Sequence, residues 1–482
     1  MLRFSFLALL LTALPVAAQH ARPAETLIVT KTADTDDGTC DADCSLREAL
    51  ASANAGIDRD SVRFAPALGG ETITLALGQL EVTQSVILDA TGLDLTVSGG
   101  GASRVFYLDV SRVLPTVRGL VEIIGLTIAD GFTEGEGGGI LARGQTFLVL
   151  RESTVRDNRA ASGGGISVSA LSLRRSTVAN NVATSGGGGV YTTYASISNS
   201  TISGNRAEFG GGLRTSPFTT SVITVQNSTI IDNRATVESG GIHSFVSIWD
   251  DFSEVSLENS IVAGNRVARS LTAPSANCGG LNSPPFSRGY NVLGSGCSSQ
   301  GTDRIVSASD AAALDFALAD NGGPTLTHAL RAPGGDPARN PAIDIGGTCG
   351  PADQRGFEAP VDGDGDGIAA CDAGAVEFAS GAATQPALDA TSTAPSSFAL
   401  DAAYPNPFRT ATTLALDLPE ARTVTLTVYD VLGRAVRTLA EGELEAGRHA
   451  VAFDGAGLPS GVYVVRMEAD AFTATQRVTL VR

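Results

Sequence analysis

A short motif recurs five times in the middle of the chain, and it restricts the fold more than any other feature. Each copy reads Ser, then Thr or Ile, then Val or Ile, and is followed by an asparagine five residues after the serine. Successive copies are 23, 24, 28 and 32 residues apart. The serines are Ser153, Ser176, Ser200, Ser228 and Ser260, and the asparagines are Asn158, Asn181, Asn205, Asn233 and Asn265. A unit this short cannot bury an apolar face alone, so the copies are expected to stack on one another.

Within each unit, apolar and polar residues alternate over short runs, which is typical of β-strands. Stacked coils of this kind predict an all-β fold, a parallel β-helix over residues 69–320, with less regular coils before the repeat. We expect the asparagines to form a ladder of hydrogen-bonded amides at a turn. Two inward aliphatic columns follow from the alignment: Leu150, Leu173, Ile197, Val225 and Leu257, and Val155, Val178, Ile202, Ile230 and Val262.

Composition agrees with a thin, elongated core, because the 482 residues include 56 glycines and only 5% aromatic residues. The formal net charge is −18, which repels phosphate backbones. We therefore expect no nucleic-acid partner.

The N-terminus predicts export. Residues 1–18 combine Arg3, an apolar run and Ala17-Ala18, as in a cleaved signal peptide, with a retained anchor as the alternative. The run is too short to span a bilayer, which needs about 20 residues, and we expect no transmembrane helix elsewhere. Six cysteines in an exported chain favour disulfides. Proximity along the chain suggests Cys40 with Cys44, Cys278 with Cys297, and Cys349 with Cys371, although six cysteines allow other pairings.

Residues 38–50, GTCDADCSLREAL, resemble the CSLREA motif of secreted bacterial β-helix proteins. The resemblance implies a right-handed, pectin-lyase-like helix and no particular activity. We expect residues 26–68 to cap the first coil, with Ser45 as the N-cap of a short helix.

Residues 321–378 are similar to the segment that ends many of these β-helices, and we expect them to form its C-terminal cap. Within them, Asp362, Asp364 and Asp366 alternate with glycine, as at the start of a calcium-binding EF-hand loop. The glutamate expected at position 12 is replaced by Ala373, with Asp372 or Glu377 as substitutes. Calcium is thus one interpretation, and a solvated acidic turn is the other.

After an Ala-, Ser-, Thr- and Pro-rich linker at 379–397, residues 398–482 form strand patterns of a separate domain. The segments YPNPF, VTLTVYDVLGRAVRTL and SGVYVVRMEA resemble the C-terminal sorting domain of the type IX secretion system. The resemblance implies a small immunoglobulin-like β-sandwich and the type IX machinery as partner, at the outer membrane or outside the cell. A flagellar hook-cap module shares much of this pattern, but the signal peptide favours secretion.

One surface column holds candidate binding residues. The second residue after successive glycine runs is Tyr191, Arg214 and then His243, which would place the three side chains on adjacent coils. The loop that follows contains Trp249, Asp250 and Asp251. We hypothesise that these six residues bind a polysaccharide, by stacking on sugar rings and by hydrogen bonds. The alternative is a chance mixture of side chains on a surface column.

Arginines form a second outward column, Arg159, Arg206, Arg234 and Arg266, and we expect Asp157 and Asp232 to neutralise it.

Because the fold hosts both enzymes and inert stalks, activity depends on the site. Acid-base cleavage of a polysaccharide needs converging carboxylates, or a calcium-binding carboxylate cluster with an arginine base, and the regular repeat shows none of the acidic pairs expected of polygalacturonases. We therefore expect a non-catalytic, adhesin-like or glycan-binding surface protein. The alternative is a carbohydrate-active enzyme, a polysaccharide lyase or glycoside hydrolase.

Overall fold

The computed structural model divides the chain into two units, residues 1–387 and 388–482. It describes residues 24–56, 58–110, 119–216, 220–245, 254–267, 276–280, 285–307, 314–378, 399–400, 411–431, 433–444, 447–469 and 472–480. The predicted signal peptide and linker lie outside these ranges.

Before the regular repeat, one α-helix, α1 (Leu46–Ala55), accompanies short strands. Strands β1 to β9 span Thr26–Val29, Asp60–Phe64, Thr72–Thr74, Leu80–Val82, Val86–Asp89, Leu95–Ser98, Phe106–Leu108, Gly119–Ile124 and Leu126–Ala129.

Through the repeat, strands β10 to β27 span Ile140–Ala142, Thr146–Arg151, Thr154–Arg156, Arg159–Ser162, Ile166–Arg174, Thr177–Ala179, Val182–Gly186, Val190–Ser198, Thr201–Ser203, Arg206–Phe209, Leu213–Thr215, Val222–Gln226, Thr229–Ile231, Arg234–Glu238, Ile242–His243, Glu254–Glu258, Ile261–Ala263 and Arg266–Val267.

After the repeat, strands β28 to β33 span Cys278–Gly279, Phe286–Gly289, Val292–Leu293, Arg304–Ile305, Leu314–Ala319 and Thr327–Leu330. In the second unit, β34 to β40 span Ala399–Leu400, Ala411–Leu418, Arg422–Tyr429, Ala435–Leu444, Gly447–Asp454, Gly461–Ala469 and Phe472–Leu480.

The first unit is a parallel β-solenoid of about eight turns, which confirms the predicted fold. Its first sheet contains β5, β8, β11, β14, β17, β21 and β25 in succession, and its second contains β6, β9, β12, β15, β18, β22 and β26. The third sheet is β13-β16-β19-β23-β27. Both predicted aliphatic columns are confirmed, because every member is in register with the next coil and at most 1% exposed.

The asparagine ladder runs between the second and third sheets. The side-chain amide of Asn181 donates to Asn205 Oδ1 at 3.0 Å, and Asn158 donates in the same way to Asn181 at 2.9 Å. All five predicted members are at most 1% exposed, and Asn277 extends the ladder by accepting from Asn265 at 3.1 Å. Serines form a second ladder, in which each backbone N–H donates to the next Oγ, as from Ser176 to Ser200 at 3.2 Å.

Three disulfides join neighbours along the chain: Cys40 to Cys44, Cys278 to Cys297, and Cys349 to Cys371.

Helix α1 packs against the outer edge of the first coils. Ser45 is its N-cap, as predicted, and forms a capping box with Glu48. Asn54 accepts from the N–H of Thr83 at 2.7 Å and donates to the carbonyl of Glu81 at 2.8 Å, so it satisfies backbone groups flanking the edge of β4. An uncovered strand edge would offer these groups to another chain.

Residues 314–378, here called the flank segment, pack along the side of the second sheet. Gln354, fully buried, donates to Thr177 Oγ1 at 3.0 Å and accepts from Thr201 Oγ1 at 2.7 Å. Further along, Gly374 N–H donates to the Asn259 carbonyl at 3.0 Å. These contacts join the segment to the flank of successive coils, and its role as a C-terminal cap stays a prediction.

The second unit consists of two antiparallel sheets, β34-β35-β38 and β37-β36-β39-β40. Their inward residues, including Leu416 from the first sheet and Leu426 from the second, share one buried core. This is the separate antiparallel domain that the sequence predicts at the C-terminus.

Candidate functional site

The predicted column exists on the first sheet. Tyr191 in β17 pairs in register with Arg214 in β20, which pairs with His243 in β24. Each follows a glycine corner at which the chain passes from the third sheet to the first. Gly187 and Gly210 have φ values of 66° and 61°, and a Cβ on Gly210 would lie 2.5 Å from the Leu213 carbonyl oxygen. The positive φ favours glycine here, although the equivalent position before His243 is Ser239, with φ of 60°, and the turn sets the side chains at the corner.

Two residues that the sequence did not indicate complete the site. Phe209, at the end of β19, lies with its ring centroid 5.1 Å from the Arg214 guanidinium and 5.4 Å from the His243 ring. Glu238, at the end of β23, pairs in register with Phe209. We call Tyr191, Phe209, Arg214, Glu238 and His243 the corner cluster. The sequence feature that could have indicated Phe209 is its position immediately before a glycine run.

His243 is a neutral imidazole at neutral pH. The residue is 5% exposed, and its burial lowers the pKa from 6.5 to about 4. The positive charge of Arg214 contributes to this lowering, whereas the negative charge of Glu238 opposes it. Its Nδ1 lies 3.4 Å from Ser239 Oγ and 4.0 Å from Glu238 Oε2. The ring is therefore held by polar neighbours without carrying charge.

Arg214 is a half-buried cation. Burial lowers the pKa of its guanidinium, whereas Tyr191 and Glu208 raise it. Its side chain passes over Gly186, where any Cβ would collide with it. The Nε is buried and has no hydrogen-bond partner among the described residues. A buried donor without a partner costs about 1–3 kcal/mol.

The corner cluster offers groups that can bind a sugar. Aromatic faces, a guanidinium and a neutral imidazole provide stacking and hydrogen bonds. Acid-base cleavage of a glycosidic bond uses two carboxyl groups. The corner cluster contributes one, Glu238, whose Oε1 accepts from Gly280 N–H at 3.1 Å. Trp249, Asp250 and Asp251 lie outside the described residues.

An acidic cluster in the flank segment is the candidate metal site. One carboxylate oxygen from each of Asp344, Asp362 and Asp364 lies within 4.8 Å of the others. The structure thus places Asp344, not Asp366, with the two predicted aspartates. Asp366 is exposed, and its Oδ1 accepts from Ile368 N–H at 2.8 Å. Asp344 precedes the aspartate motif by a long irregular stretch, so no spacing rule indicated it.

The donor chemistry of the acidic cluster fits a hard cation. Its potential ligands are all carboxylate oxygens, as calcium and magnesium prefer. Asp344 Oδ1 is buried and has no hydrogen-bond partner among the described residues. Burial and the neighbouring Asp364 and Asp362 charges raise the Asp344 pKa, while hydrogen bonds from backbone N–H groups oppose this.

Two further carboxyl groups lie behind the cluster. Asp372 is 1% exposed and accepts from Asp344 N–H at 2.7 Å, and Glu377 is 6% exposed. Burial, and then Glu377, raise the pKa of Asp372 to about 8. Burial also raises that of Glu377 to about 7. These two residues, proposed from the sequence as substitute ligands, adjoin the cluster.

Two family models match the chain. Residues 115–283 match the model described as a right handed beta helix region, and residues 402–481 match the secretion system C-terminal sorting domain. No curated protein and no solved structure gives a match. Fold and matches together define a right-handed parallel β-helix protein.

More particularly, the chain is a β-helix protein with a type IX secretion sorting domain, and it is secreted or displayed at the cell surface. None of the helices in the described ranges has the length and apolar character needed to cross a bilayer. The signal peptide at 1–18 and the CSLREA resemblance stay predictions.

Proposed function

We propose that this protein is a non-catalytic surface protein that binds a glycan at the corner cluster. The observation that carries the proposal is the convergence of Phe209, Arg214 and His243 at one glycine corner, with Tyr191 on the adjacent coil. Sugars present apolar ring faces beside hydroxyl groups. Aromatic rings pack against the faces, while Arg214 donates to the hydroxyls.

The test measures binding of the secreted chain to an array of immobilised glycans, followed by titration of the best ligand. Tyr191→Ala and Arg214→Gln should each weaken binding at least about tenfold, since each removes roughly 1.4 kcal/mol or more. Tyr194→Ala is the matched control, because Tyr194 lies on the same strand, is 48% exposed and stands outside the cluster. Equal affinity of Tyr191→Ala and wild type would contradict the proposal.

The enzymatic alternative is tested with the same protein. Incubation with a polysaccharide panel, with and without calcium, should release neither reducing ends nor unsaturated products. If products appear and His243→Gln abolishes them without loss of binding, the corner cluster is an active site and the non-catalytic proposal fails.

We also propose that Asp344, Asp362 and Asp364 hold a calcium ion with a structural role in the flank segment. A bound cation would relieve the mutual repulsion of these carboxylates and give Asp344 Oδ1 a partner. Calcium chloride should therefore raise the thermal unfolding midpoint of the wild type and of Asp366→Asn, but not of Asp344→Asn. The same increase in Asp344→Asn, or none in the wild type, would contradict this site.

We infer that residues 398–482 are recognised by the type IX machinery and then removed. The match to the sorting-domain family supports this step. Expression of the full chain in a host that carries the system should release a product that lacks residues 398–482, while a chain ending at residue 397 should stay in the periplasm. Release of the truncated chain would contradict the inference.

A further inference from the structure

A column of arginines on the third sheet forms a second charged surface. Arg206 in β19 pairs in register with Arg234 in β23, which pairs with Arg266 in β27. The residues that follow, Ala207 and Ala235, are buried, so the arginines alternate to the outer face. We call Arg206, Arg234 and Arg266 the arginine ladder. Arg159 belongs to the same column but is separated from Arg206 by Val182.

The predicted neutralisation of this column is incomplete. Asp232 lies 3.5 Å from Arg234, as expected, but Asp157 pairs with the adjacent Arg156 at 2.7 Å. In the coils of the other two ladder members, the turn position equivalent to Asp232 is Gly204 or Gly264, with φ of 68° and 66°. No described residue forms an ion pair with Arg206 or Arg266.

Glu208, two residues after Arg206, acts on a different group. Its charge raises the pKa of Arg214, in the corner cluster. Among the described residues, the ion pair of Arg234 with Asp232 is the only one that the ladder forms. Parallel strands are about 4.8 Å apart. Two like charges at this distance repel by roughly 1 kcal/mol in water, and by more near a protein surface. An external anion between neighbouring guanidinium groups would remove this repulsion.

We propose that the arginine ladder binds a linear polysaccharide that carries sulfate or carboxylate groups, with the chain running parallel to the solenoid axis. Guanidinium groups bind both kinds of anion in bidentate geometry. An extended anionic polysaccharide that lies along the solenoid axis would pass all three arginines of the ladder.

Nucleic acid fits the ladder less well. The ladder is one residue wide, on a chain whose net charge is −18, whereas nucleic-acid surfaces are broadly basic. The charge of the chain and the width of the ladder together favour an anionic glycan.

The ladder and the corner cluster lie at opposite ends of the same strand, since β19 begins with Arg206 and ends with Phe209. The identification of the polymer as a glycan rests on the proposed function, which this inference deepens. The corner cluster contacts the sugar rings, and the arginine ladder selects polymers that carry negative charge.

The experiment compares binding of the secreted chain to dextran sulfate, polygalacturonate, neutral dextran and a single-stranded DNA of similar length. The ladder variant is Arg206→Gln with Arg234→Gln and Arg266→Gln. Its charge-matched control is Arg143→Gln with Arg288→Gln and Arg339→Gln, three exposed arginines that each already have a carboxylate partner. A third variant carries lysine at the three ladder positions and keeps the charge.

Wild type and the control should bind at least one of the two anionic polysaccharides at least about tenfold more tightly than neutral dextran and DNA, and the preference should weaken with salt. The ladder glutamine variant should lose the preference, and the lysine variant should keep most of it. The response to dextran sulfate against polygalacturonate identifies sulfate or carboxylate as the group bound.

Equal binding by wild type and the glutamine variant, no binding of either anionic polysaccharide, or tighter binding of DNA would overturn the inference. The Tyr191→Ala variant tests the corner cluster independently of the arginine ladder. If that variant loses binding while the ladder variant does not, the corner cluster stands and the ladder inference fails. The reverse result removes the corner cluster and leaves the ladder as the binding surface.

Discussion

Removing one amide from the asparagine ladder should destabilise the solenoid far more than removing its neighbour in the same turn. Asn181 is fully buried, and its Nδ2 donates to Val155 O at 2.9 Å and to Asn205 Oδ1 at 3.0 Å. Its Oδ1 accepts from the backbone N–H and the side-chain amide of Asn158. Asn180, the preceding residue, is exposed and has a φ of 57°.

The expected magnitude follows from these bonds. Asn181→Ala removes four hydrogen bonds and leaves the Asn158 N–H buried without its side-chain acceptor. An orphaned buried donor costs about 1–3 kcal/mol and each of the three further bonds contributes roughly 1 kcal/mol, so the loss should be about 4–6 kcal/mol. Asn180→Gly keeps the left-handed turn and should change stability by less than about 1 kcal/mol.

The assay is urea unfolding followed by circular dichroism, with all three disulfides intact. Stacked coils unfold with their neighbours, so the loss should appear as a lower midpoint of the solenoid transition. A loss in Asn181→Ala no larger than in Asn180→Gly would refute the reasoning, because it would mean that the buried amides do not hold adjacent coils together.

Three further outcomes are expected. Glu48→Gln should lower the free energy of unfolding by about 1–3 kcal/mol in the same urea assay, because the buried Glu48 carboxylate accepts a hydrogen bond from Ser45 N–H at 2.7 Å. The control Glu71→Gln, at an exposed position, should leave the free energy of unfolding unchanged. The folded-state pKa of His243 lies below its ordinary value, so its stabilisation is full above pH 6.5 and is lost as pH falls toward 4. Wild type should therefore lose about 2 kcal/mol more than His243→Gln between about pH 7 and pH 5, and equal losses would contradict the buried imidazole. Gln354→Ala should make the flank segment sensitive to proteolysis while the coils persist, and an unchanged cleavage pattern would mean that the segment is held elsewhere.

Regularity decided how much of the fold could be predicted from the sequence. Residues equivalent to Ser176, Asn181 and Val178 recur in all five copies of the repeat, so their register and inward direction followed from alignment alone. The flank segment has no such repeat. Its packing depends on single contacts such as that of Gln354 with Thr201, which join residues 153 apart in sequence, and no local pattern indicates them.

The candidate sites divide in the same way. Tyr191, Arg214 and His243 were predicted to stack because they share an offset from glycine runs. Phe209 belongs to a different sheet, and its approach to His243 depends on the geometry of the corner. Asp344 joins the acidic cluster through irregular loops, for which spacing carries no information.

The stacking of coils in register can be tested most directly by cross-linking. Ser196 in β17 and Thr224 in β21 are in-register partners on the outer face, so cysteines at these positions should form a disulfide, for which Cα atoms must lie about 4.4–6.8 Å apart. Ser196 paired with a cysteine at Gln226, two residues out of register, should stay reduced. Peptide mapping that finds no link between positions 196 and 224, or an equal yield for 196 and 226, would contradict the solenoid.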